Sequence, residues 1–493
     1  MPATLPLYRA QDARAIDRRA IERLGVPAFE LMSRAGAAAW RLLRERWPQA
    51  RRIGVACGPG NNGGDGYVLA RLAREGGCRV ELVALQPPRT AEARQAAAEW
   101  QAAGGRTQVF EAGLPEVDLW VDALFGIGLT RAPEGAAREL IEAINAAAVP
   151  VLALDTPSGV DADRGHVPGA AVRATSTLCF IAAKRGLHTG AALDHVGEVV
   201  LDPLALPPAA FEGTPPAARL LRPAALQRWL PRRARDSHKG RYGHVLCVGG
   251  DLGLGGAVRL CAEAALRAGA GLVSVATRAE HVAAILAARP EAMTRSIEDA
   301  GDFTPLLERA SVLALGPGLG LGDWGWSLWT AALRSGKPAV LDADALNLLA
   351  GQQTWALPAG CVLTPHPGEA ARLLDAAPGE IQRDRFAAAE ALAAQYGAVV
   401  VLKGAGTVVA APEEVPCVIA AGNPGMASGG MGDVLTGTIA ALLAQGLSAF
   451  DAACAGALLH AAAGDAAARE GGERGLLPSD LFAPLRRLAN PHD

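Results

Sequence analysis

Two glycine-rich stretches hold the residue types and spacings that could do chemistry. The first, GPGNNGGDG at residues 58–66, contains GxGxxG in Gly58, Gly60 and Gly63. Glycines there let the backbone approach a pyrophosphate, and the free N–H groups of a following helix attract it. The stretch adds Asn61, Asn62, Gly64 and Asp65. A plain clamp needs neither amides nor an acid, because a carboxylate in the first helical turn opposes a bound phosphate. The next strand also ends in Gln86 and not in a ribose-gripping acid. A tight turn with Asp65 as a helix cap is the competing reading. The second stretch, GNPGMASGGMGDVLTGTIAALLAQG at residues 422–446, delivers Asp433 to the start of an apolar helix. This suits phosphoryl transfer: free N–H groups steady the moving phosphoryl charge while an aspartate takes the proton of the attacking hydroxyl. A capped helix behind a flexible loop is the alternative. No GxxxxGK[ST] is present, which excludes a P-loop enzyme.

Other strand ends repeat the habit. VDALFGIGLTR carries Asp122, Gly126 and Gly128, and ALDTPSGVDADRG carries Asp155, Ser158 and Gly159. Asn, Asp and Ser oxygens form a hard ligand set suited to an alkali or alkaline-earth cation. Turn-forming aspartates are the plainer account. Further along, VLKGAGTVV offers Lys403 and the glycines before Thr407 as a phosphate grip. ALGPGLG is another glycine turn after a strand, and LTPHPGEAARLL puts His366 and Glu369 at a strand-to-helix junction. A histidine there is either a structural hydrogen-bonder or a ligand contact.

The elements that must position these residues alternate strand and helix. RRIGVACG, CRVELVALQ, DLWVDALFG and PVLALDTPSG read as strands separated by helices such as TAEARQAAAEWQAAGG. A second series runs through GHVLCVGG, GLVSVAT, SVLALGPG, PAVLDAD, CVLTPH and AVVVLKG. Such alternation implies parallel sheets covered by helices, the doubly wound α/β class. Between the series, proline-rich residues 203–235 read as a linker. The division expected is 1–220 and 221–493. A net charge of −3 removes the basic excess that nucleic acid would need, and no window is apolar enough to span a bilayer. The eight scattered cysteines read as small buried hydrophobes. The charged N-terminus lacks an apolar signal core, so a cytoplasmic protein is expected.

GPGNNGGDGYVLAR, DALFGIGL and DTPSGVDADRG resemble the NAD(P)H-hydrate epimerases. LTPHPGEAARLL, VLKGAGT and GNPGMASGGMGDVLTG resemble the ADP/ATP-dependent NAD(P)H-hydrate dehydratases. Together the chain resembles the bifunctional NAD(P)H-hydrate repair enzymes, with a Rossmann-like epimerase domain before a ribokinase-like dehydratase domain. The resemblance implies that R and S hydrates of NADH and NADPH (NAD(P)HX) are interconverted and the S form is dehydrated. ADP would be phosphorylating co-substrate, leaving AMP and phosphate.

Residue by residue, the resemblance places the damaged dinucleotide on Asn61, Asn62, Gly63, Gly64 and Asp65, on Gly126, Ile127, Gly128, Leu129, Thr130, Arg131 and Ala132, and on Asp155. It gives potassium to Asn62, Asp122 and Ser158, and the proton chemistry of epimerisation to Asp155, with Asp65 as a possible sharer. In the second domain the hydrate would contact Ala257, Gly318, His366 and Asp433, with Asp433 as base. Lys403, Gly404, Ala405, Gly406, Thr407 and Gly432 would hold the adenosine phosphate. Magnesium would accompany the nucleotide, with Asp342 and Asp344 in VLDADALN as loose ligand candidates or turn formers. A homo-oligomer, a tetramer among the candidates, is the expected assembly. Two departures stand out: Thr156 where an isoleucine-like residue is expected, a change expected to be harmless, and a glycine-richer GGDLGLGGAVRL around Ala257. Two rivals stay open. One is a ribokinase-like small-molecule kinase with an N-terminal nucleotide-binding module; the other is a first domain that only binds nucleotide.

Overall fold

Strands of β-branched and apolar residues with no polar alternation must be buried on both faces, and this chain has two sets of them. The computed structural model describes residues 3–111, 113–128, 131–352 and 355–492. The chain divides into Pro6–Ala218 and a second unit of Arg219–Asp493 with the N-terminal segment ending at Leu5. The first unit therefore starts at Pro6, not at residue 1.

In the first unit seven parallel strands are ordered Thr107–Val109, Arg79–Ala84, Arg52–Cys57, Leu119–Ala123, Val151–Leu154, Ser176–Phe180 and Glu198–Asp202. Ile53, Val55, Leu119, Val121, Leu152 and Leu154 are fully buried. One core joins them to the helices Ala10–Glu22, Ala28–Arg46, Asn61–Glu75 and Ala91–Ala102. A separate core on Ala56, Val83 and Trp120 receives Leu140, Ile141 and Ile144 of the helix Ala136–Ala146. Separate cores from one set of strands are the mark of a doubly wound sheet.

The second unit has a ten-strand array ordered Met293–Ser296, Leu272–Thr277, His244–Val248, Val312–Leu315, Ala339–Leu341, Val362–Leu363, Val399–Leu402, Thr407–Ala410, Cys417–Ile419 and Ala218–Leu221. All neighbours are parallel except around Thr407–Ala410, which is antiparallel to both of its partners. The helices Gly255–Arg267, Met431–Ala444 and Ala449–Gly471 supply most of its core. Gly437 makes the first two pack tightly, since a Cβ there would overlap the Cys261 carbonyl oxygen.

Residues 203–235 are not a plain linker, which corrects the sequence reading. Arg219 and Leu220 pair with Cys417 and Val418, and Leu226 and Trp229 enter the second core. Prolines hid these short elements by breaking any period. All eight cysteines are buried and free. No helix among the described residues is long and apolar enough to cross a membrane.

Candidate active sites

In each unit the chemistry-bearing residues gather beyond the carboxyl ends of the strands, where open α/β sheets hold ligands. In the first unit the strand Arg52–Cys57 turns through Gly58, and the helix begins at Asn61. Asn61, Asn62 and Asp65 therefore lie in opening helical turns. A Cβ on Gly58 would overlap the Leu124 carbonyl, and one on Gly63 the Gly58 carbonyl. Gly64 meets the Met32 side chain in the same way. Gly63 and Gly64 are thus buried packing positions, whatever else they touch.

A cavity of about 630 Å³ opens beside this turn, lined by Asn61, Asn62, Asp65, Gly126, Asp155 and Lys184 among others. Asp155 follows the strand Val151–Leu154 with φ +64, a left-handed conformation that aspartate tolerates better than most residues. Its carboxylate accepts from Phe180 N at 3.3 Å and from Lys184 Nζ. The Lys184 ammonium also donates to the Phe180 carbonyl at 2.9 Å and is 1% exposed. Burial, then the charges of Asp155 and Asp17, hold the Asp65 carboxyl well above its ordinary range. Asp17 is raised by burial and then by Asp155 and Glu92, while Lys184 opposes both shifts. Acids of raised proton affinity stand beside an ion-paired acid, an arrangement that can give and take a proton at one centre.

The suspected cation ligands are partly joined. Ser158 Oγ donates to Asp122 Oδ1 at 2.6 Å, and Ser158 N to Asp122 Oδ2 at 2.8 Å. Burial pushes the Asp122 carboxyl up to about 6 against these bonds. The Asn62 amide is buried, and neither its oxygen nor its nitrogen has a hydrogen-bond partner among the described residues. It sits beside Asp155 across Gly126: a Cβ on Gly126 would lie 3.4 Å from Asn62 Cγ and 3.3 Å from Asp155 Oδ2. Ile127 and Gly128 line the cavity, and Arg14 donates to the Ile127 carbonyl at 2.8 Å. Arg131 and Ala132 are not among the residues lining the cavity. Leu129 and Thr130 lie outside the described residues.

In the second unit Asp433 occupies the first turn of the helix Met431–Ala444, entered through Gly430 at φ +93. Beneath it, Lys403 Nζ donates to Asp342 Oδ1 at 2.6 Å and lies 3.6 Å from Glu369 Oε2. Thr436 Oγ1 donates to the other Asp342 oxygen at 2.9 Å. Burial works against the Asp342 charge, yet Lys403, Thr436 and Thr364 hold its carboxyl below its ordinary range. Asp433 has no such partner among the described residues. Burial, then the charge of Asp342, pushes it up to about 7, only partly offset by Lys403. Gly432 leaves room here: a Cβ on it would be 3.1 Å from Asp342 Oδ2 and 3.3 Å from Lys403 Nζ.

His366 caps the helix Pro367–Leu374. Its Nδ1 accepts from Gly368 N at 2.9 Å and Glu369 N at 3.3 Å, while Glu369 Oε2 accepts from His366 N. The ring proton therefore belongs on Nε2, and burial with nearby Lys403 lowers its basicity. Gly318, at φ +62, packs against Leu254 and Ala257, so these two predicted hydrate contacts are neighbours. Asp344 Oδ2 accepts from Gly320 N at 2.9 Å. Gly404, Ala405 and Gly406 form the turn leading to Thr407, whose hydroxyl donates to the Gly404 carbonyl at 3.2 Å. The turn is held by fully buried Arg385, which donates to the Leu402 and Lys403 carbonyls at 3.1 Å each and to Gln382 at 2.7 Å.

The family descriptions NAD(P)H-hydrate dehydratase and YjeF-related protein N-terminus match residues 245–487 and 28–186. The chain is 49% identical to the bifunctional NAD(P)H-hydrate repair enzyme Nnr of Coxiella burnetii, over 98% of this chain and 99% of that one. It is 47% identical to the Escherichia coli enzyme of the same name, over 99% and 95%. The chain belongs to the bifunctional NAD(P)H-hydrate repair enzymes. Among solved structures, a ribokinase-like superfamily protein from Enterococcus faecalis superposes with a TM-score of 0.53 at 30% identity, covering 56% of this chain and 96% of that one. The ADP/ATP-dependent NAD(P)H-hydrate dehydratase of Bacillus subtilis, co-crystallised with ATP and Mg2+, gives 0.50 at 29%, covering 55% and 98%. In this repair enzyme the Asp155–Lys184 cluster falls inside the first matched range and the Asp433–Asp342–Lys403 cluster inside the second.

Sequence reasoning missed Lys184, Asp17 and Arg385. Lys184 left a usable signal: the chain has only four lysines, and Lys184, like Lys403, closes an apolar run. Asp17 lies in the N-terminal helix, far in sequence from the glycine stretch it faces. Nothing in DRFAAAEAL marks Arg385 as buried.

Proposed function

We propose that this enzyme interconverts the R and S hydrates of NADH and NADPH in its first unit and dehydrates the S form in its second, with ADP as phosphoryl donor. The observation that carries the reading is Asp433, an acid pushed up to about 7 by burial and the charge of Asp342, at a helix N-terminus beside Asp342 and Lys403. Such a carboxylate can take the proton of the hydrate hydroxyl as its oxygen attacks the terminal phosphorus of ADP. AMP leaves, and the phosphorylated carbon then loses phosphate far more easily than hydroxide, restoring the ring double bond with loss of a ring proton. Lys403 and the Gly404–Gly406 turn supply charge and backbone N–H groups for the phosphates, and Ala257, Gly318 and His366 flank the hydrate. No cluster of three or more metal-ligating side chains exists among the described residues. Magnesium therefore fits as an ion carried by the nucleotide's phosphates, with Asp344 as the carboxylate at hand, since both Asp342 oxygens are already bonded.

In the first unit Asp155, positioned by Lys184 and Phe180 N, is the group for the proton transfer that epimerises the hydrated carbon. The unpartnered Asn62 oxygen, the Ser158 hydroxyl and the buried Asp122 carboxylate fit a weakly hydrated monovalent cation such as potassium, which would offset the negative charge around the turn. Eight buried free cysteines support a reducing, cytoplasmic setting, and a homo-oligomer completes the reading. The test is purified enzyme with ADP, Mg2+ and a mixture of both hydrate epimers, followed by the near-ultraviolet absorbance of the reduced nicotinamide. Full recovery of both epimers is expected. Recovery of the S form alone would remove the epimerase half, and recovery with ATP but not ADP would overturn the donor.

A further inference from the structure

The second unit has a strongly basic cleft far from Asp433. Two adjoining cavities, of about 1130 and 690 Å³, share Arg267, Arg289 and Arg486 in their walls. Arginines dominate the joint surface, which has three carboxylates, in a chain whose net charge is −3. The clustering is therefore local and not a property of the composition.

Two of the three acids are already engaged. Buried Glu263 is bonded by Arg289 and lies 3.3 Å from Arg259 and 3.7 Å from Arg267. Asp451 accepts from Trp229 Nε1 at 2.8 Å and from the Ser448 hydroxyl at 3.0 Å. Glu291 is the third, an exposed carboxylate. Exposed Arg228, Arg241 and Arg486 have no ion-pair partner among the described residues. Arg267, Arg486 and Arg487 stand in the last turns of their helices, where the dipole favours a cation, whereas Arg228 and Arg241 end elements of only four residues, Leu226–Trp229 and Lys239–Tyr242, whose summed dipoles are small. Two carbonyls just past the end of the helix Gly255–Arg267 are covered by side chains. Arg233 covers the Gly269 carbonyl and Gln445 Nε2 covers that of Ala268.

We infer that this cleft is a binding site for a small anion bearing several phosphates, of the inorganic polyphosphate type. Guanidinium forks match phosphate oxygens in pairs. A nucleobase would need an open aromatic face. Arg233 already lies 3.6 Å over the Tyr242 ring, and Trp229 is 9% exposed with its N–H committed. Recognition is thus by phosphate charge and not by base. The cleft lies at the amino ends of the strands: Tyr242 precedes His244–Val248, and Gly269 precedes Leu272–Thr277. The 14-residue helix Met431–Ala444 spans about 21 Å between Asp433's turn and Gln445 in the cleft wall, so the site is separate from the catalytic face.

Isothermal titration of the full chain with tripolyphosphate tests this, comparing wild type, the Arg241→Glu/Arg486→Glu pair and Lys403→Met. Saturable binding is expected, weakened at least about tenfold by the arginine pair and unchanged by Lys403→Met. The pair should leave the KM for ADP unaltered, and ATP should bind the cleft no tighter than tripolyphosphate. The reverse pattern, loss with Lys403→Met alone, would assign the binding to the catalytic face and overturn the inference. Absence of saturable binding would overturn it too, as would ATP binding far more tightly through the same arginines. A changed oligomeric state in the pair without anion binding would make the cleft a subunit interface instead. If the charge reversal unfolds the chain, Arg241→Gln/Arg486→Gln is read by the same outcomes.

Discussion

Lys403 and Asp342 form an ion pair of 2.6 Å directly below the turn that carries Asp433, and the pair divides the work of two buried acids. Asp342 takes the ammonium and stays ionised. Asp433 faces a neighbouring negative charge in a desolvated place and rises to about 7. Two aspartates with opposite shifts separate a structural anion from a base that can exchange protons at neutral pH.

Dehydration of the S hydrate should therefore increase as pH rises through about 7 and fall below it, because only ionised Asp433 accepts the proton. Stability has the opposite dependence. The folded state holds this proton more tightly than the unfolded one, so stability falls as pH climbs from the ordinary carboxyl range to about 7. Asp433→Asn should abolish dehydration and raise the neutral-pH melting temperature by an amount worth on the order of 1–3 kcal/mol. Thermal melts at acidic and neutral pH check the second part. A gain that persists unchanged at acidic pH would contradict it.

In the first unit Lys184→Met should leave repair of the S form intact while slowing repair of the R form roughly a hundredfold or more. Asp155→Asn is the sharper companion, since asparagine also accepts a positive φ and the turn should survive. The amide cannot be the ionic partner that Lys184 now has. Chiral separation of the two hydrates after incubation, with no nucleotide added, reads epimerisation alone. Normal interconversion in Asp155→Asn would remove Asp155 from the chemistry.

Four strands of the first sheet and six of the second were legible because parallel, doubly covered strands are written as unbroken apolar runs such as RIGVAC and VVVL, although Ser176–Phe180, equally buried, opens with Ser and Thr and was not read as one. The acids and glycines at their carboxyl ends were legible for the same reason: a polar residue straight after such a run has one place to go. What escaped was set by neighbours distant in sequence. Glu198–Asp202 is an edge strand without a fully buried residue, and Ala218–Leu221 sits among prolines. Asp17 joins its site from another helix, and its raised proton affinity comes from burial and from Asp155 and Glu92. Burial of a full charge such as Arg385 depends on carbonyls from another strand, which no local pattern announces.

Arg385 yields a prediction of its own. Its burial pulls the guanidinium down to about 10, and its donors hold the Leu402 and Lys403 carbonyls at the entry to the glycine turn. Arg385→Met would leave those carbonyls with an apolar neighbour, at a cost of roughly 2–4 kcal/mol. The same change should raise the KM for ADP by loosening Lys403, while epimerisation stays normal. Denaturant unfolding and ADP titration measure the two effects. A stable variant with an unaltered KM would show that the turn is held by other contacts.

Thr156 stands where an isoleucine-like residue is expected, and its surroundings make the change a matter of stability. It is fully buried beside Asp155, and its hydroxyl has no hydrogen-bond partner among the described residues. An unsatisfied hydroxyl in an apolar site costs about 1–3 kcal/mol of stability. Valine keeps the branched shape and replaces the hydroxyl with a methyl group, so Thr156→Val should raise stability by roughly 1 kcal/mol. The neighbouring Asp155–Lys184 geometry depends on the backbone, which the substitution leaves alone, so epimerisation should be unchanged. A lower melting temperature in Thr156→Val would mean that the hydroxyl is satisfied in solution, most simply by a bound water.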